Sequence, residues 1–328
     1  MNQSQWPDSK PLLGVIAKGG ISAALIAWLV SQVDVDDFTA RLSHLHYAWF
    51  LAAVAGLSLQ VVVAAQRWVW VLRALGIALP LPDALRIVCV GLFFNQTLPT
   101  TLGGDILRVL ELRRAQVTLA QATTSVVLDR ISALAAILVI VVLSLPALLM
   151  LIGEPVAKLS LPVAAIGGLV GLVALAHLDL LMKFLKGWQL PAHVAVFVRN
   201  ARHVLFSFSH SRRTLGSSLV IAITSGICVG LLARSLDINV DILTCCILVP
   251  PVLLLTTLPI SLAGWGVREA AMVVALSYVN VNAADALLLS IAFGCIVMSV
   301  GLPGGVLWLA SKSDAAISHS PVRVRSRA

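Results

Sequence analysis

The sequence predicts an all-α polytopic helical membrane protein with inverted repeats and two re-entrant helical hairpins. Three observations lead there. Of the 328 residues 59% are apolar and only 12% charged, with a mean hydropathy of +0.98, whereas soluble domains carry roughly 25% charged residues. Six apolar segments, at about 12–30, 46–65, 122–150, 156–177, 214–235 and 284–310, reach the ~20 residues that a spanning helix requires. Finally, one phrase is stated twice: Thr97-Leu98-Pro99-Thr100-Thr101-Leu102-Gly103-Gly104-Asp105-Ile106-Leu107-Arg108 returns without a gap as Thr257-Leu258-Pro259-Ile260-Ser261-Leu262-Ala263-Gly264-Trp265-Gly266-Val267-Arg268. Self-similarity of this kind signals repeated architecture.

Taken in order, segment 12–30 follows Lys10 and shows no small-x-small cleavage site, so it reads as a retained first helix. Segment 46–65 is the second. Ala84 to Leu98 is too short to cross, at roughly 22 Å as a helix against a ~30 Å hydrocarbon core. Its partner, Asp105 to Gln116, carries Arg108, Glu111, Arg113 and Arg114 and is unsuited to lipid. A re-entrant hairpin near 84–117 is therefore expected. The helices 122–150, 156–177 and 214–235 follow. Around the second phrase, 242–258 contains Pro250-Pro251 and 268–281 is short, so a second hairpin spans about 242–281 before helix 284–310. Residues 1–311 read as a single membrane domain and 312–328 as a disordered basic cytoplasmic tail.

Charge orients the set, because Lys and Arg concentrate in cytoplasmic loops. Asp34, Asp36 and Asp37 mark 31–46 as outside; Arg67, Arg73 and Arg86 mark 66–86 as inside. With each hairpin returning to the side it entered, 178–213 falls inside with Lys183, Lys186, Arg199, Arg202, Arg212 and Arg213, and both termini are cytoplasmic. The two phrases then enter from opposite faces, which is an inverted-topology repeat. The expected location is the cell (inner) membrane.

The net charge of +8 resides beside apolar segments, where it faces lipid headgroups, so nucleic acid is not expected as a partner. Segment 180–206 alternates apolar and basic residues and reads as an amphipathic helix on an anionic surface, giving loop 178–213 anionic headgroups as partners. Cys89, Cys228, Cys245, Cys246 and Cys295 lack metal-ligand spacing. His177, His193, His203 and His210 read as interfacial, and Asp34-Val35-Asp36-Asp37 as a solvated outer loop. No cofactor or metal is expected, no nucleotide-binding motif is present, and an oligomer is compatible with this reading.

Chemistry concentrates at the repeated phrases. Pro and Gly free backbone groups that cost several kcal/mol each in hydrocarbon, so breaks persist only beside protein or a polar cavity. Past Gly103-Gly104 a half-helix is expected to begin at Asp105, its free N–H groups forming an anion-binding end. Thr97, Thr100 and Thr101 add hydroxyls, and Arg108 a planar cation suited to phosphate. The plainer alternative is that Asp105 caps its helix and pairs with Arg108. Asp129 and Arg130 lie in or at the end of a spanning helix, where ionisable residues are expensive. Asp129 is expected to pair with Arg108, the plainer alternative being that Asp129 and Arg130 both sit at the interface and snorkel. Arg268-Glu269 lies in an otherwise nearly charge-free region.

The string Asn95 to Arg108, N-x-x-x-P-x-x-x-G-G-D-x-x-R, followed by Ser125-Val126-Val127-Leu128-Asp129-Arg130, resembles the membrane domain of lysylphosphatidylglycerol synthases, which also occurs alone in flippase-like proteins. Gly264-Trp265-Gly266-Val267-Arg268-Glu269 is similar to that family's second signature, and Pro303-Gly304-Gly305 agrees. The resemblance implies a helical membrane fold with re-entrant segments that moves lipids or lipid-linked molecules between leaflets, carried by Asp105, Arg108, Asp129, Arg130, Arg268 and Glu269. Asn95, Thr97, Thr101, Gly103, Gly104, Trp265 and Gly266 complete the expected substrate-binding set. Gln116, Ala133, Ala263 and Asn280 stand where the family often has Gly, which bears on local packing. The synthases' soluble aminoacyl-transferring domain is not in this sequence. The expected function is a non-enzymatic flippase or transporter of a phospholipid or lipid-linked molecule; the alternatives are an ion-coupled transporter of a small solute and an accessory subunit of a lipid-modifying pathway.

Overall fold

A computed structural model describes residues 45–97, 102–178, 191–257, 264–313 and 323–324. In chain order these form α1 (Tyr47–Ala74), β1 (Ile77–Ala78), α2 (Leu81–Thr97), α3 (Gly103–Arg114), α4 (Leu119–Leu151), α5 (Pro155–Ala176), α6 (Ala192–Phe206), α7 (Phe208–Ser235), α8 (Ile242–Thr256), α9 (Val267–Ser277), α10 (Ala283–Ser313) and β2 (Arg323–Val324). The fold is all-α and polytopic. Among the described residues five helices are long and apolar enough to cross a membrane: Tyr47–Ala74, Leu119–Leu151, Pro155–Ala176, His210–Ser235 and Ala283–Ala310. The expected first helix, 12–30, lies outside the described residues.

Two differences from the sequence reading matter. Helix α1 does not stop near residue 65 but runs on to Ala74, so Arg67 and Arg73 are helical rather than parts of a loop. The continuation buries Trp68, Val69, Val71 and Leu72, an apolar gain that carries Arg67 inward with them. In the tail expected to be disordered, Arg323–Val324 pairs antiparallel with Ile77–Ala78.

The four helices that flank the repeated phrases, α2, α3, α8 and α9, have 17, 12, 15 and 11 residues, so each is at most about 26 Å long, below a ~30 Å hydrocarbon core. They pack in sequence pairs, α2 on α3 and α8 on α9. Both pairs end alike: after α3 the Val117 N–H donates to Leu112 C=O at 3.1 Å, and after α9 the Val281 N–H donates to Leu276 C=O at 3.2 Å. In each case the residue before the donor, Gln116 (φ 64°) or Asn280 (φ 61°), is left-handed. This is the Schellman ending that normally takes Gly. At Gln116 and Asn280, where the resemblance leads one to expect Gly, the demand is therefore one of backbone conformation rather than packing.

Small residues let the helices approach closely, as in lipid, where no hydrophobic force drives helices together. A Cβ on Gly104 would strike the carbonyl of Gly91, and one on Gly304 the carbonyl of Cys89. These contacts fasten α3 to α2 and α2 to α10. Gly226 and Gly230 admit Cys246 and Ile242 of α8 against α7 in the same way. Helix α10 is the shared wall, packing on both α2 and α9.

Candidate functional site

The first charged cluster is assembled by four helices around the first hairpin. Beneath it lies an apolar floor of Trp68, Leu72, Leu112, Ala122 and Val126. Helix α3 brings Asp105 and Arg108 one turn apart, so both face the same side. Helix α4 contributes Asp129 and Arg130, and the extension of α1 contributes Arg67.

Asp129 is 2% exposed, and both its oxygens are engaged. Arg67 Nε donates to Oδ1 at 2.7 Å and Arg108 Nη2 to Oδ2 at 2.9 Å. Arg67 also donates through Nη1 to Ser218 Oγ of α7 at 3.1 Å. Arg130 forks onto Asp105, Nε to Oδ2 at 2.8 Å and Nη2 to Oδ1 at 2.9 Å. Arg108 Nη1 lies 3.5 Å from Asp105 Oδ1. Its guanidinium carbon stands 4.3 Å over the ring of Trp68, whose indole N–H reaches Ser125 Oγ at 3.4 Å. Asp105, Arg108, Asp129 and Arg67 are buried, while the Arg130 side chain is 53% exposed.

Such a cluster is tolerated in an apolar surrounding only because each charge meets an opposite one with hydrogen bonds attached. Yet among the described residues it is not balanced. Three guanidiniums meet two carboxylates there, and the Nε of Arg108 is buried with no hydrogen-bond partner among them.

The second cluster is smaller and neutral. Glu269 Oε1 accepts from Arg268 Nε at 3.0 Å and Nη2 at 2.6 Å, and from Ser290 Oγ at 3.3 Å. Its Oε2 accepts the Gly266 N–H at 2.6 Å, closing the entry to α9, where Gly264 (φ 84°) and Gly266 (φ 86°) are left-handed. Arg268 lies 4.5 Å from the ring centre of Trp265 and 5.9 Å from that of Phe293. It nests against Gly294 of α10. Adjacent helical side chains ordinarily diverge by about 100°. Here the long Arg268 side chain bends back to a carboxylate already held by the helix end.

The structure thus brings Asp105, Arg108, Asp129 and Arg130 together as one group, and Trp265, Gly266, Arg268 and Glu269 as another. Among the described residues no hydrogen bond or ion pair joins the two. The expected pair Asp129–Arg108 is present, and so is the plainer Asp105–Arg108 contact. Helix α3 starts at Gly103 rather than Asp105, and its Gly104 N–H is capped at 2.9 Å by Asn95 Oδ1 from α2. Asp105 makes no cap. Thr97 closes α2, its hydroxyl donating to Phe93 C=O at 3.0 Å. Thr100 and Thr101, like Pro99, Pro259 and Ser261, lie outside the described residues.

Arg67, Trp68 and Ser218 escaped the sequence reading. The available signal was that apolar character resumes directly after Arg67, in Trp68-Val69-Trp70-Val71-Leu72, which makes that arginine a charge inside a long apolar helix rather than a loop marker. Gln60 was also missed: it exchanges hydrogen bonds with Thr224 and Ser225 across α1 and α7, at 3.0 and 3.3 Å.

A chain whose described residues include five crossing-length apolar helices, with paired charges buried at a broken hairpin, is a multi-pass helical membrane protein. More specifically, it belongs to the lysylphosphatidylglycerol synthase TM region family, whose model matches residues 15–304. Comparison with individually curated proteins gives no match.

Proposed function

We propose that the protein is a non-enzymatic transporter that moves a phospholipid or lipid-linked molecule between the leaflets of the cell (inner) membrane. The observation that carries this reading is the cluster at the first hairpin, four of its five charged residues buried, where among the described residues Arg67, Arg108 and Arg130 outnumber Asp105 and Asp129. A surplus cation is costly in hydrocarbon unless an anion visits it. An acidic lipid headgroup supplies one while its acyl chains stay in lipid.

We further propose that α2–α3 and α8–α9 are re-entrant hairpins of an inverted repeat. Three parallels support this. Both pairs are too short to cross, both set the arginine that ends the repeated phrase over a tryptophan, at 4.3 and 4.5 Å, and both end in a left-handed residue. With entry from opposite faces, the hairpins allow one site to open to either side in turn. Both termini would be cytoplasmic, and α6, whose apolar face packs on α1 and α4, would turn its basic residues toward anionic headgroups.

The test is leaflet exchange of labelled phospholipids in liposomes containing the purified protein. Exchange faster than in protein-free liposomes for at least one phosphate-bearing lipid is expected. Equal rates for anionic and zwitterionic lipids with and without protein would remove the proposal.

A further inference from the structure

The fold brings together two of the histidines that flank the basic loop. His203 lies in the last turn of α6 and His210 in the first turn of α7, with only Ser207 between the two helices, and their rings stand 4.6 Å apart, centre to centre. The helix that carries His203 is also tied to the first charged cluster. Its Ala201 and Val204 pack on Val71 and Ala74 of α1 and on Leu128 of α4. Val71 is one turn past Arg67 and Leu128 adjoins Asp129, so α6 is packed against both segments that hold the buried Arg67–Asp129 pair, 2.7 Å apart. Two more contacts secure its end. Thr214 of α7, fully buried, sets its hydroxyl 3.0 Å from the His210 carbonyl and 3.5 Å from that of Val204, and the Phe206 ring meets the His177 ring of α5 at 5.1 Å.

Histidine is the side chain whose ordinary range of charge change falls between pH 5 and 8. Around this pair the fixed charge is nearly all of one sign. Helix α6 itself carries Arg199 and Arg202; of the helices packed on it, α7 brings Arg212 and Arg213 beside His210, α5 ends at His177, α1 has Arg73 in its last turn, and α4 carries Asp129 and Arg130. Asp129 is the one carboxylate on these five helices, and its oxygens already receive Arg67 and Arg108. Two charged imidazoles at this spacing repel, and these helices supply no further carboxylate to offset it.

We propose that α6 is a pH-sensitive latch on the Arg67–Asp129 pair, docked while His203 and His210 are neutral and lifted when both are charged. A swing of α6 away from α7 about Ser207 relieves the repulsion. Because the lifted form is the one that accommodates the second proton, docking weakens as pH falls. Lifting uncovers Val71 and Leu128 and admits water to a charge pair whose strength depends on dry surroundings. The latch is independent of the transport reading and of what is carried.

The experiment is amide hydrogen exchange of the purified full chain in detergent at pH 7.5 and 5.5, corrected for the intrinsic pH dependence of exchange. In the wild type, protection over 194–206 is expected to fall at least about fivefold at the lower pH, together with protection over 68–74. Residues 267–277 in α9, which packs on α8 and α10, are expected to stay unchanged. His203→Gln and His210→Gln each leave a single imidazole and should make α6 equally protected at both pH values; if one fails to fold, the other decides. Arg199→Gln removes one exposed positive charge but keeps both rings, and should retain the wild-type response. Equal protection of α6 at the two pH values in the wild type, an acid response that survives either histidine substitution, or one lost in Arg199→Gln overturns the latch. A response confined to α6 with 68–74 unchanged overturns its hold on Arg67, and an equal loss in α9 marks general acid unfolding and overturns it too.

Discussion

Asp129 holds the first cluster together because each of its oxygens receives a guanidinium from a different helix, Arg67 from α1 and Arg108 from α3. Removing one partner of a buried pair leaves an uncompensated charge, commonly at a cost of about 3 to 5 kcal/mol. Arg67→Ala is accordingly expected to destabilise the protein by about 3 kcal/mol in reversible unfolding from detergent. Arg67→Ala combined with Asp129→Asn should lose less than the two single changes added. A second residue-scale prediction concerns Gln116, a non-glycine at φ 64°. Gln116→Gly should stabilise by up to about 1 kcal/mol in the same assay, since the left-handed region costs an L-residue roughly that much. Asn280→Gly should gain less, because Asn tolerates this conformation. The Asp129–Arg108 pair was legible in the sequence, because a charge inside an apolar run must find an opposite one. Arg67 was not, because a basic residue near the end of an apolar segment is also what an orienting loop contains.

At the scale of elements, the breaks in the chain were legible and the ways they are held were not. Pro and Gly in the repeated phrase marked where α2 gives way to α3 and α8 to α9. Nothing in the spacing revealed that Asn95 caps Gly104 across the first break, or that Glu269 turns back onto Gly266 at the second; both depend on contacts that form only once the limbs are packed. Close packing at Gly104 gives a test. Gly104→Ala drives a Cβ into the Gly91 carbonyl, whereas Gly153→Ala meets nothing within 4 Å. The first should lower thermal stability by the equivalent of about 1 to 3 kcal/mol and the second should leave it nearly unchanged. The inversion of the hairpins is tested by membrane-impermeant thiol labelling of Arg113→Cys and Asn282→Cys in a Cys295→Ser background. Opposite-side labelling is expected, with Arg113→Cys reached from the cytoplasm. Labelling from one side would remove the inverted repeat.

For the whole molecule, composition and apolar segment length were sufficient to read a polytopic helical membrane protein, since lipid leaves a spanning chain few alternatives to the helix. What they left open was how the charges are shared among helices. The two hairpins are unlike in this respect: Arg268 is matched by Glu269 within one neutral unit, while the first cluster links α1, α3, α4 and α7 and keeps a positive surplus. Under the transport proposal, headgroup engagement belongs to the first hairpin, while the second braces α9 against α10. The most direct measurement compares leaflet exchange of an anionic phospholipid in liposomes for the wild type, Arg130→Gln and Arg114→Gln. Arg114 lies on α3 too, but its side chain is 71% exposed and pairs with Glu111, so both substitutions remove one positive charge and only one touches the cluster. Exchange slowed about tenfold in Arg130→Gln, with Arg114→Gln at the wild-type rate, is the expected result. Equal rates for all three proteins would contradict the assignment.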